Sequence, residues 1–263
     1  MKKSIAALLL LFSSVAVLAQ QFNPLLVQND RENQRVWVDS VYSNMSLQEK
    51  VGQLFMVDIY SSDPKEKKDK VKDLIQNQYI GGIIFSKGGP KQQVQLNNEF
   101  QALSRTPLIM AMDAEWGLAM RLDSTFAYPW NMTLGAISGN KIIQKIGKRI
   151  GEHTKRIGMH INFAPVVDIN INPANPIIGN RSFGEDKYNV TEKSVAFMKG
   201  MQEAGIISNA KHFPGHGDTD ADSHLSLPTI NFTRERIDSI ELFPYRRLIK
   251  EGLGSVMVAH LNI

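Results

Sequence analysis

The sequence predicts an α/β protein on a parallel sheet, of the (β/α)8 TIM-type barrel class, and three observations predict it. Short, fully apolar segments alternate along the chain with amphipathic helical ones. That is the pattern of strands buried on both faces and covered by helices. Chemistry-bearing residues stand just after the apolar segments: Asp113, Asp168, Lys211 with His212, and His260. A barrel gathers its functional groups at those strand ends. The competing architecture, an open doubly wound sheet, usually carries a G-x-G-x-x-G turn after its first strand. No such turn is present; Gly81-Gly82 and Gly88-Gly89 flank a strand but lack the spacing. About six strands can be read where a barrel has eight: either two escape the reading, or the barrel is incomplete at its C-terminal end.

The elements follow in order. Lys2 and Lys3 precede an apolar stretch from Ile5 to Leu18, closed by Ala19. Residues 1–19 therefore read as a secretory signal peptide, removed on export to the periplasm or beyond. The stretch is too short and too serine-broken for a retained span, which needs about 20 apolar residues. Residues 20–45 are expected to form a lead-in helix and 46–263 the functional domain. Ser46-Leu47-Gln48-Glu49 fits a capping box, and Leu54 to Ile59 follows as a strand. The charged stretch from Asp63 to Gln78 carries Val71, Leu74 and Ile75 at helical spacing. Gly82 to Phe85 is a strand, Lys91 to Ser104 a polar helix, and Pro107 to Met112 a third strand. Ile142, Ile143, Ile146 and Ile150 mark an amphipathic helix before a strand at Ile161 to Phe163. A helix over Asn189 to Ala204 leads to a strand over Ile206 to Ala210. Thr233 opens a helical stretch that Pro244 kinks or restarts, and Ser255 to His260 is the sixth strand.

Composition narrows the function classes. The chain has 263 residues, 43% hydrophobic and 21% charged, with no cysteine. That excludes a disordered tail, a collagen-like fibre and a disulfide-stapled miniprotein. The formal charge is +4, and Lys2 and Lys3 leave with the signal. No basic run interleaved with aromatics suggests a nucleic-acid partner, and no later apolar run is long enough to span a bilayer.

One segment is dense in ionisable groups: Lys211-His212-Phe213-Pro214-Gly215-His216-Gly217-Asp218, then Asp222-Ser223-His224-Leu225-Ser226-Leu227-Pro228. Three readings compete. His212 and His216 have a metal-like spacing, but Pro214 and Gly215 between them break the shared helix face that H-E-x-x-H sites use. The histidines could instead merely satisfy loop backbone. In the third reading, Asp222 and His224 share one side of an extended segment. The carboxylate then fixes the imidazole tautomer for acid–base catalysis near neutral pH.

With those residues in view, the chain resembles family 3 glycoside hydrolases, specifically their β-N-acetylglucosaminidases of the NagZ type. K-H-F-P-G-H-G followed by D-S-H-L-x-x-P matches their signature. Asp113 with Arg121 matches a D-x-E-G-G-x-x-x-R block. Phe163-Ala164-Pro165-Val166-Val167-Asp168 and Gly179-Asn180-Arg181-Ser182-Phe183-Gly184 match two further blocks in the right order. The resemblance implies a (β/α)8 barrel that removes terminal β-linked N-acetylglucosamine from peptidoglycan- or chitin-derived glycans, without metal or cofactor. It implies that Asp113, Arg121, Arg181, Lys211 and His212 bind the sugar, and that Asp222 and His224 are an acid/base dyad. The nucleophile it implies is an aspartate after the seventh strand, attacking the anomeric carbon to give a covalent glycosyl-enzyme.

Three departures from the family pattern stand out. Asp113-Ala114-Glu115-Trp116-Gly117 replaces the usual D-Q-E-G-G, which alters the pocket rim. The chain reaches Ile263 at the sixth strand, so the nucleophile is expected beyond it and the 263 residues alone are expected to be inactive. Export also differs from the cytoplasmic NagZ enzymes. A family 3 β-glucosidase, a non-catalytic carbohydrate-binding fragment and a zinc hydrolase are the rival functions. Whether Trp116 stacks on sugar or packs the rim, whether Asp168 caps a loop, and whether His260 lines the pocket stay open. The oligomeric state is not legible.

Overall fold

The computed structural model describes residues 30–219 and 227–263. Six strands form one sheet in which every strand pairs with its successor: β1 (Met56–Tyr60), β2 (Gly82–Lys87), β3 (Ile109–Met112), β4 (Ile161–Asn162), β5 (Ile207–Phe213) and β6 (Ser255–Val258). All five pairings are parallel. A doubly wound sheet reverses its strand order at a switch point; this order never reverses, which is the winding of a barrel. Among the described residues β1 and β6 remain unpaired edges, so the sheet is not closed.

The helices between strands form because each has one apolar face to bury. α1 (Arg31–Ser43) precedes α2 (Leu47–Gly52), which begins at the expected capping box. The Ser46 hydroxyl accepts from the Glu49 amide at 3.2 Å, and the Glu49 carboxylate accepts from the Ser46 amide at 2.6 Å. α3 (Lys65–Asn77) buries Val71 and Ile75, while α4 (Pro90–Leu103) buries Leu96 and Phe100. Both pack with Ile83, Phe85, Met110 and Met112 in one core cluster. Each fully buried side chain of that size contributes roughly 1.5–3 kcal/mol.

A second cluster joins α6 (Asn140–Arg156) to α7 (Lys187–Glu203). Their axes come so close that backbone touches backbone. A Cβ on Gly147 would stand 2.3 Å from the Phe197 carbonyl, and one on Gly200 would stand 2.1 Å from the Gln144 carbonyl.

Some boundaries move from the sequence expectation. Leu54 and Phe55 lie outside β1, 82% and 59% exposed, because the Phe55 carbonyl turns aside to accept from the Gly81 and Gly82 amides. The stretch after Thr233 is two helices, α8 (Arg234–Ser239) and α9 (Phe243–Lys250), with Pro244 in the first turn of the second. α5 (Asn131–Gly135) was not expected, since it has no apolar periodicity. Among the described residues no helix is long and apolar enough to cross a membrane.

Candidate active site

The C-terminal strand ends open into one cleft of about 860 Å³. Asp113, Trp116, Arg121, Arg181, Lys211, His212 and His260 are among the residues lining it. All five expected sugar-binding residues therefore meet in one place, although Asp113 and Lys211 lie 98 residues apart in sequence. Asp222 and His224 fall outside the described residues.

Each side chain is placed by its backbone. Asp113 leaves the end of β3, and Arg121 returns to it through a turn of 3-10 helix over Leu118–Met120. Lys211 and His212 are consecutive in β5, where alternation would send them to opposite faces. Pairing with β6 shifts register between Lys211 and Phe213, and such an irregularity re-aims side chains. Both therefore reach the cleft. The Lys211–His212 peptide bond is cis.

A charge network forms the floor. Asp113 accepts from Arg121 Nη2 at 2.7 Å and from Lys211 Nζ at 2.6 Å. Lys211 Nζ also lies 2.7 Å from Glu115 Oε1. Arg181 grips Glu115 with both arms of its fork, Nη2 at 2.7 Å and Nε at 3.0 Å. Burial pushes the Glu115 carboxyl up, but Lys211 and Arg181 outweigh it and bring it down from its ordinary 4.5 to about 2. Burial likewise raises Asp113, and the Lys211 ammonium and Arg121 guanidinium more than offset that.

Asp168 lies beneath this layer, its side chain fully buried. It accepts from His212 Nδ1 at 2.7 Å, from the His212 amide at 3.2 Å and from the His216 amide at 2.7 Å. Burial works against its charge; the His212 ring and the two amides outweigh burial and hold the carboxyl below the usual range. Asp113 and Glu115 thus share three cations, Lys211, Arg121 and Arg181, while the His212 ring and two backbone amides hold Asp168. Each carboxylate is paired, as buried charge requires. Such a floor adds little net stability, but it holds donors and acceptors fixed for a hydroxyl-rich ligand.

Two residues of the cleft floor carry little signal in the sequence. Glu115 stands out only as part of the Asp113 block, yet it anchors both Lys211 and Arg181. Asp168, open between loop cap and site residue in the sequence, is the partner of His212. The alternation of Asp113 and Glu115 past a strand end was a usable signal for the first; the second had only its strand-end position. His260 lines the cleft, and so does Trp116. The His212 and His216 rings stand edge to face with centroids 6.1 Å apart, both amides go to Asp168, and His216 Nδ1 faces Thr219 Oγ1 at 2.5 Å. Among the described residues no group of three His, Cys, Asp or Glu side chains could hold a metal ion.

Comparison with known proteins decides the family. Residues 46–263 match the glycosyl hydrolase family 3 N-terminal domain. The chain belongs to that family. It is 36% identical over 207 residues to beta-hexosaminidase A of Pseudoalteromonas piscicida, covering 73% of this chain and 35% of that protein. Among solved structures it is similar to a glycoside hydrolase family 3 beta-N-acetylglucosaminidase from a Paenibacillus species, with TM-score 0.77 and 37% identity over 83% of this chain and 42% of the other. NagZ from Neisseria gonorrhoeae, solved with N-trifluoroacetyl-D-glucosamine, matches with TM-score 0.70 and 30% identity over 79% of this chain and 63% of that one. The family 3 chain spans 35% and 40% of the lengths of two curated relatives and 61% of a third.

Proposed function

We propose that this family 3 chain forms the sugar-binding floor of a retaining exo-β-N-acetylglucosaminidase, exported after loss of residues 1–19 and acting on peptidoglycan- or chitin-derived glycans. The observation that carries the reading is Asp113, held by Arg121 and Lys211 inside the strand-end cleft. An ionised carboxylate flanked by two cations offers acceptors and donors side by side, which vicinal sugar hydroxyls need once they leave water. Relatives named beta-hexosaminidase, and a neighbour solved with an N-acylated glucosamine, support the N-acetyl sugar.

In this reading the His224 imidazole, paired with Asp222, protonates the glycosidic oxygen, while an aspartate following β6 in the chain order attacks C1. The C1–O bond breaks as the carboxylate–C1 bond forms, and the leaving sugar departs carrying the proton. Water, deprotonated by the same imidazole, then displaces the carboxylate and restores the β-configuration.

Hydrolysis of nitrophenyl N-acetyl-β-glucosaminide should exceed that of the β-glucoside in the full-length protein. Preference for the glucoside would sink the assignment in favour of a β-glucosidase. His224→Ala should lower turnover by about 10²-fold or more and spare ligand affinity; an unchanged rate would remove the dyad.

A further inference from the structure

We propose that Trp116, braced by Trp130, is an aromatic platform in the cleft for the apolar face of a pyranose ring. Trp116 stands where the family block has glycine. Its side chain is half-buried and lines the same cleft as Asp113, Arg121 and Lys211. It is also fixed. The Trp116 carbonyl accepts from the Tyr128 amide at 3.0 Å. Gly117 follows with φ +90°, a conformation that turns the chain sharply after the indole.

The bracing comes from the segment that enters α5. The Trp130 ring lies 4.2 Å from that of Trp116, centroid to centroid, tilted by 46°. Trp130 immediately precedes α5, and the next residue, Asn131, donates through Nδ2 to the Arg181 carbonyl at 2.7 Å. The platform is therefore tied to the segment that carries a charged wall of the site. Trp130 itself is 44% exposed and lies behind Trp116, the indole of the pair that lines the charged cleft.

The chemistry of a β-gluco pyranose fits both features. Its equatorial hydroxyls radiate from the ring edge, toward groups such as Asp113, Arg121 and Lys211. Its C–H bonds leave an apolar face, which an indole covers well. Charged groups alone would pair the edge and leave that face wet. This inference rests on the glycosidase reading and adds to it the residue that contacts the ring face.

Calorimetric titration of the full-length protein with N-acetylglucosamine and with its β-1,4-linked dimer tests it. Trp116→Ala should weaken binding by about tenfold, Trp116→Phe should retain most of the affinity, and Trp130→Ala should cost less than Trp116→Ala. Loss of affinity for both ligands assigns the platform to the terminal sugar. Loss for the dimer alone assigns it to the neighbouring ring. If the wild type binds and Trp116→Ala binds equally well, the indole only packs the rim and the platform is wrong. If the wild type binds neither saccharide, the glycosidase reading fails and takes the platform with it.

Discussion

Arg181 Nη2 stands 3.3 Å from His212 Nε2. A guanidinium only donates, so the imidazole nitrogen facing it is the acceptor. The other ring nitrogen, Nδ1, then carries the hydrogen and donates to ionised Asp168 at 2.7 Å. His212 is thereby placed with Nδ1 as the donor to Asp168 and Nε2 as the acceptor toward Arg181. Nitrogen-15 spectra of the ring should show the hydrogen on Nδ1, and a hydrogen on Nε2 would refute the assignment. Arg181→Lys should remove the fork on Glu115 together with the contact to His212, weakening saccharide binding about tenfold or more.

Asp113 invites the most direct test. Asp113→Asn keeps the shape and removes the charge that Arg121 and Lys211 share. Charge-assisted hydrogen bonds are worth roughly 1.5–3 kcal/mol each. We expect affinity for N-acetylglucosamine to fall by about 10- to 100-fold. An undiminished affinity, measured by calorimetry, would place the sugar elsewhere.

Glu115 links the site to acid stability. Its carboxyl sits at about 2 in the folded protein against an ordinary 4.5. A depressed folded value stabilises above the unfolded one and is lost as pH falls toward the folded one. The stabilisation is therefore fully present above about pH 4.5 and disappears between there and about pH 2, amounting to about 3 kcal/mol. Urea unfolding across that window should show one extra proton taken up, and Glu115→Gln should remove that dependence.

The α6–α7 contact gives a stability test remote from the cleft. Gly200→Ala would place a methyl 2.1 Å from a backbone carbonyl that cannot step aside. We expect a loss of about 2 kcal/mol or more, read from the urea midpoint. A midpoint within error of the wild type would mean the two helices separate freely.

Much of the architecture was legible because burial writes itself into local pattern. The apolar run at β2, the stripe on α3 and the capping box at Ser46 each need only neighbouring residues to be recognised. β4, only two residues long, is legible from Ile161 and Phe163 standing directly after the amphipathic helix. Leu54 and Phe55 misled because hydrophobicity does not say which backbone groups will pair; both are left outside β1 and exposed. α5 was invisible for a different reason. The side chain at its start, Asn131, bonds to the carbonyl of Arg181, a residue 50 positions on.

The sequence by itself determined the alternation of strands and helices, the strand-end placement of Asp113, Lys211 and His212, and the motif blocks that mark family 3. Those are properties of residue type and short spacing. Only the tertiary structure decided what the charges do to one another. Glu115 meets Arg181 across 66 residues and Asp168 meets His212 across 44. Whether a carboxylate is an anchor, a ligand-facing group or a solvated loop cap depends on which donors the fold brings within about 3 Å, because Coulomb attraction, hydrogen bonding and desolvation act through space and not along the chain.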